Sequence, residues 1–223
     1  MARIYKKRMI TLFAALAVIS TFSTGARAQG FLKTQGKNIV NGEGEEYILK
    51  SMGLGGWMLQ EGYMLRSSDF APTQHEFEQH VAELTSESFK DDFYDAWLAN
   101  HFRKIDLDSL KAWGFNSVRV AMHYKWFTPP IQEEPVQGEV TWKEKGFRML
   151  DSLLKWCEQN RMYLILDLHA APGGQGYNAS ISDYDPDKPS LWESEFKKKK
   201  TAELWKKLAK RYADEPWMGG YDL

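Results

Sequence analysis

Arg161-Met162-Tyr163-Leu164-Ile165-Leu166-Asp167-Leu168-His169-Ala170-Ala171-Pro172-Gly173-Gly174-Gln175 is an apolar run that breaks at a histidine into a Pro/Gly loop. That is the pattern of a strand buried on both faces that ends at a functional rim. Side chains alternate along a strand, so Tyr163, Ile165, Asp167 and His169 share one face and Leu164, Leu166 and Leu168 the other. The first face turns polar toward its C-terminal end; the second is wholly aliphatic. A parallel strand with helices on its aliphatic side and a polar side toward a closed interior suits a (β/α) barrel at the end where its chemistry sits.

The neighbouring segments repeat the pattern. Phe115-Asn116-Ser117-Val118-Arg119-Val120-Ala121-Met122-His123-Tyr124 reads as a strand with Val118, Val120 and Met122 on one face and Ser117, Arg119 and Ala121 on the other. A buried guanidinium needs acceptor partners, so Arg119 predicts a carboxylate across the interior. Amphipathic helices are expected over 102–113, closed by Gly114, over 143–160 and over 193–212, with Lys210 and Arg211 in the last turn of the third. Cys157 falls on the core side of the second and reads as a small buried hydrophobe. Lys197 to Lys200 reads as a solvated basic face. Gly219-Gly220-Tyr221-Asp222-Leu223 begins another strand.

Upstream, Lys37–Val40 and Glu46–Leu49 flank Asn41-Gly42-Glu43-Gly44 and predict a β-hairpin, leading into a first strand over 49–53. The segment Gly53-Leu54-Gly55-Gly56-Trp57-Met58-Leu59-Gln60-Glu61-Gly62-Tyr63 follows as a loop whose glycines let Trp57 and Glu61 approach a ligand. Its spacing matches no phosphate-cradling loop. Residues 67–100 read as polar surface with helices near 73–84 and 88–100. His75 and His80, five apart, make a poor metal pair. Asn178, Asp183, Tyr184, Asp185 and Trp192 occupy the loop after His169, and 126–142 is a Pro- and Glu-rich loop.

Residues 1–28 form a separate unit: a basic start, an apolar stretch over 9–22 and Ala26-Arg27-Ala28 before a cut, the pattern of a cleaved secretory signal. Removing its five basic residues leaves 24 Lys+Arg against 30 Asp+Glu, six net negative charges on residues 29–223. Such a chain has little electrostatic reason to seek nucleic acid or anionic membrane. A single cysteine excludes an internal disulfide and a thiolate metal cluster. Aromatic residues make up 14% of the chain; their flat apolar faces and polar edges suit sugar rings, although most aromatics in any chain are core.

Three of these pieces carry a resemblance. Leu54-Gly55-Gly56-Trp57, Gly114-Phe115-Asn116-Ser117-Val118-Arg119 and Asp167-Leu168-His169-Ala170-Ala171-Pro172-Gly173-Gly174-Gln175 together resemble glycoside hydrolase family 5, closest to its exo-β-glucanase and β-glucosidase branch. The likeness extends from Phe31 to Leu223. It implies an α/β fold, the N-terminal half of a (β/α)8 TIM barrel preceded by a β-hairpin, with the chain ending within the fourth strand. Domain organisation is then a signal at 1–28 and an incomplete catalytic domain at 29–223. The implied activity is retaining hydrolysis of β-linked glucans in polysaccharide degradation, with no metal or organic cofactor. It further implies a β-linked glycan as partner, no nucleic acid, no membrane after signal cleavage, a monomer when complete, and a secreted or periplasmic location. By the same resemblance Arg119 supports the nucleophile and His169 lines the subsite of the scissile sugar. Trp57, Glu61, Tyr63 and Asn178 contact substrate, and Trp126 and Trp192 offer further stacking faces. Gln60 and Gly62 depart from the family's hydrophobic residue and proline. Both catalytic glutamates are expected beyond Leu223, so the chain alone is expected to be inactive. Three other readings stay open: a metal-dependent hydrolase using Asp167 and His169, a glycan-binding protein without catalysis, and a functionless fragment.

Overall fold

The structure, a computed structural model, describes residues 30–223, so the leader-like segment lies outside the described residues. At its centre is the strand quoted first, β5 (Tyr163–Ala170). It pairs in parallel with β4 (Ser117–His123) on one side and β6 (Met218–Asp222) on the other, and β3 (Ser51–Met58) completes the order β3-β4-β5-β6. Sequential parallel strands need crossovers. Helices α4 (Lys104–Ala112), α5 (Glu144–Asn160) and α7 (Glu195–Arg211) supply them. Their apolar stripes, including Leu107, Leu110, Leu150, Leu153, Leu204 and Leu208, close over Val118, Val120, Leu164 and Leu166. The result is α/β with helices packed on the aliphatic face of the sheet, a partial (β/α) barrel. Cys157 is fully buried in that core, and burial pushes its thiol up to about 12. Among the described residues no helix is long and apolar enough to cross a membrane.

The structure redraws the N-terminal hairpin. β1 (Lys33–Gln35) pairs antiparallel with β2 (Asn38–Val40) around Gly36 and Lys37, while the expected second arm survives as a single bridge, Val40 to Glu46. Asn41 explains the change: its side-chain oxygen accepts the N–H groups of Glu43 and Glu45, folding that stretch into a side-chain-capped loop. β3 likewise runs through Gly53, Gly55 and Gly56 to Met58 instead of breaking into a loop, with a shift of register between Leu54 and Met58.

Residues 67–100 are more than solvated surface. After α1 (Gly62–Leu65), Thr73 and Glu76 cap α2 (Gln74–Leu84) reciprocally, and α3 (Glu87–Asn100) returns against β3. Two indoles lock that contact: Trp57 Nε1 donates to the Leu98 carbonyl at 2.8 Å and Trp97 Nε1 to the Gly56 carbonyl at 2.9 Å. The departures from the family pattern answer to this hairpin at Gln60 and to the turn before it at Gly62. Gln60 is buried, its side-chain oxygen accepting the Tyr94 hydroxyl and its N–H donating to Gln74 Oε1. Gly62 donates its N–H to the Pro72 carbonyl, and a Cβ there would sit 2.6 Å from the same oxygen. A proline could do neither.

The basic stretch 197–200 is also corrected. Lys200 is fully buried, with its ammonium on Glu134 and the Pro129 carbonyl, because the Pro-rich loop after β4 folds over the first turns of α7. Lys197 is buried too, donating to the Pro189 carbonyl. Removing one partner of a buried ion pair strands the other charge away from water. Lys200→Ala should therefore lower unfolding free energy by roughly 3–5 kcal/mol, read by urea denaturation. The double replacement Lys200→Met with Glu134→Leu should recover most of that loss.

Candidate functional site

Polar groups converge where the parallel strands end. Asp167 on β5 and Asp222 on β6 are register partners, and Arg119 on β4 stands across from Ile165. The guanidinium spans both acids: Nη2 lies 2.8 Å from Asp167 Oδ2 and 3.0 Å from Asp222 Oδ2, and Nε donates to that Asp222 oxygen at 3.0 Å. The carboxylate that Arg119 demanded is thus supplied twice. His169 joins through Nδ1, 2.5 Å from the same Asp167 Oδ2. Asp167 is only 4% exposed, so one buried oxygen faces both a guanidinium and an imidazole. Both contacts lie at ion-pair distance.

Electrostatics extend the group to Glu61, which is buried at the start of α1. Burial pushes the Glu61 carboxyl up, opposed by the charge of His169 and a hydrogen bond from Tyr63. Tyr63 is raised in turn, chiefly by the Glu61 charge. The bond to Asp167 raises His169; burial works against it. Glu61, Tyr63 and His169 therefore present hydrogen-bonding groups beside an anchored cation, an arrangement matched to neutral hydroxyl groups.

The structure separates other residues from this cluster. Trp57 is 3% exposed, packs on Phe102 and spends its indole N–H on Leu98, so it is a core residue with no face for a ligand. Trp126 is buried, donating to the Met58 carbonyl and packing on Tyr94. Asn178 is exposed; it opens the short helix α6 (Ala179–Ser182) and accepts the Ser180 hydroxyl. Trp192 keeps an open face.

A second cluster was not legible in the sequence. Asp183, in a left-handed conformation with φ 52°, sits between two histidines. His75 donates its backbone N–H to Asp183 Oδ1, and its Nδ1 lies 2.8 Å from that oxygen. His123 Nδ1 accepts the Lys125 N–H, which leaves Nε2 to donate to Asp183 Oδ2 at 2.8 Å. Burial would push Asp183 up; the bonds from His123 and His75 outweigh it and hold the carboxyl well below its ordinary range. The cluster ties α2, the end of β4 and the loop after β5 together. Among the described residues no group of three or more His, Cys, Asp or Glu is arranged to hold a metal ion.

Comparison with known proteins gives a consistent result. The family profile described as Cellulase (glycosyl hydrolase family 5) matches residues 74–222. A β-xylosidase of Phanerodontia chrysosporium is 31% identical over 192 residues, covering 86% of this chain and 38% of that protein. A glucan 1,3-β-glucosidase of Lachancea kluyveri is 26% identical over 229 residues, covering 93% and 49%. The chain thus spans less than half the length of these relatives. Among solved structures, the rutinosidase from Aspergillus niger superposes with a TM-score of 0.57 at 17% identity, over 77% of this chain and 46% of that one, a likeness of fold.

The Asp167–His169 contact has a pH signature. A histidine whose folded pKa is raised contributes stability fully below its unfolded value, about 6.5, and loses it as pH rises through the folded value. The wild-type stability advantage over Asp167→Asn should therefore shrink across that interval, and NMR titration should show the His169 pKa falling in the variant. A pH-independent difference, with His169 titrating alike in both proteins, would show that the contact carries no charge.

Proposed function

The chain belongs to the cellulase family, glycosyl hydrolase family 5, and from that membership we propose that its polar strand ends bind a β-linked glucan for hydrolysis with retention of anomeric configuration. The observation that carries this reading is the Asp222–Arg119–Asp167–His169 chain across three neighbouring parallel strands, reaching their C-terminal ends at His169 and Asp222. That is where a barrel of this class does its chemistry. His169, Glu61 and Tyr63 bind sugar hydroxyls in the subsite of the scissile unit. Arg119 braces the nucleophile. Because two aspartates already share its charge, its contribution is more to geometry than to lowering that carboxyl's pKa.

Retention requires two carboxyl groups about 5–5.5 Å apart, one attacking the anomeric carbon and one protonating the leaving oxygen before activating water. The carboxylates at these strand ends have other duties. Asp167 and Asp222 are held by Arg119, and Glu61 is bonded to Tyr63. None is assigned as nucleophile or acid/base. We place the product outside the cytoplasm, secreted or periplasmic, on the leader-like composition of residues 1–28, and take it to act as a monomer.

The commitment of these carboxylates also favours a second reading, glycan binding without cleavage by the 223-residue chain itself. Both are tested together. The chain should bind cello- or laminari-oligosaccharides in calorimetry yet release no nitrophenol from an aryl-β-glucoside. His169→Ala should weaken binding about tenfold, as expected for the loss of one hydrogen bond, with the fold retained because Arg119 still pairs Asp167. Turnover by this chain would overturn the assignment of its carboxylates. Unchanged affinity in His169→Ala would remove these strand ends from substrate binding.

A further inference from the structure

Trp192 stands out among the exposed aromatics because its ring is fixed. It is 62% exposed, yet its indole N–H donates to the Gln175 carbonyl at 2.8 Å. The backbone beside it is equally constrained: the Leu191 N–H reaches the Gly174 carbonyl, the Leu191 side chain is buried, and Ser190 and Glu193 cap each other across the turn. A single exposed tryptophan is ordinary. One whose polar edge is satisfied by protein while its apolar face stays open is a flat surface with its conformational entropy already lost, which lowers the cost of binding.

Gln175 connects that surface to the strand ends. Its side-chain amide donates to the Leu168 and His169 carbonyls at 2.7 and 2.8 Å, and its side-chain oxygen accepts the Ala171 N–H at 2.9 Å. One glutamine therefore fastens the turn carrying His169 and, through its own carbonyl, the ring of Trp192. The backbone at His169 and the ring of Trp192 are thus each hydrogen-bonded to the same residue.

We propose that Trp192 is a preset stacking platform for a pyranose unit adjoining the one bound at His169, with Gln175 as the residue that positions it. The ligand is a β-linked gluco-oligosaccharide long enough to occupy both places. The platform deepens the function proposed above and rests on it. The axial C–H groups of a β-glucosyl ring form an apolar face that matches an indole, whereas its hydroxyls point to the rim and remain hydrated.

The test is calorimetry on the whole chain with a disaccharide and a hexasaccharide of β-linked glucose. Trp192→Ala should weaken the hexasaccharide about tenfold, equivalent to ~1.4 kcal/mol, and leave the disaccharide unchanged; Trp192→Phe should restore part of the loss. Hexasaccharide affinity within about twofold of wild type in Trp192→Ala overturns the platform and leaves the function proposed for His169 standing. A loss confined to Trp192→Ala, with His169→Ala binding both ligands normally, keeps stacking at Trp192 but overturns that function and the platform's place beside His169. A chain that binds neither ligand overturns both.

Discussion

One buried oxygen organises the polar end of this fold. Asp167 Oδ2 faces both the guanidinium of Arg119 and the imidazole of His169, on a carboxylate almost closed to water. An isolated carboxylate in such a place is unfavourable by several kcal/mol, so partners such as the Arg119 guanidinium and the His169 imidazole are required as much as permitted. Their positions follow from that requirement. Arg119 turns inward because Asp167 and Asp222 await it, and His169 takes its orientation from the same acid. A site that must present hydroxyl-binding groups in fixed directions gains more from this constraint than from any number of exposed donors.

The α2–α3 hairpin is the second ordering influence. It reaches β3 through Trp57 and Trp97, the segment around Glu61 through Gln60, and the loop after β5 through His75 and Asp183. It makes Gln60 intelligible, since its side-chain oxygen accepts where Tyr94 approaches, while a side chain is forbidden at Gly62 where Pro72 passes just ahead of α2. The loops around the site are thereby held to rigid elements, leaving Glu61 and His169 with defined neighbours. Membership of glycosyl hydrolase family 5 supplies a chemical context for that geometry.

Much of this was legible in the chain. Period-two alternation over 163–169, the lone arginine on an otherwise small-residue face and the stripes of 143–160 and 193–212 led to parallel strands, an inward Arg119 and helices behind them. Local rules sufficed because alternation and amphipathicity are local consequences of which face is buried. Where the reading failed, the deciding partner was far along the chain. Lys200 resembled a solvated lysine because nothing near it announces Glu134. Trp57 resembled a sugar platform because nothing beside it announces Leu98 and Phe102. Asp183 passed for a loop acid, with one of its histidines 108 positions away.

The sequence by itself therefore determined the class of fold and the need for an acid across from an inward Arg119, since burial patterns are written residue by residue. Tertiary structure alone decided which aromatic faces stay open, which lysine is buried and which aspartate binds two histidines. Those outcomes depend on loops closing over distant elements, and the free energy of a buried charge or a satisfied indole is set by a partner that no local pattern encodes.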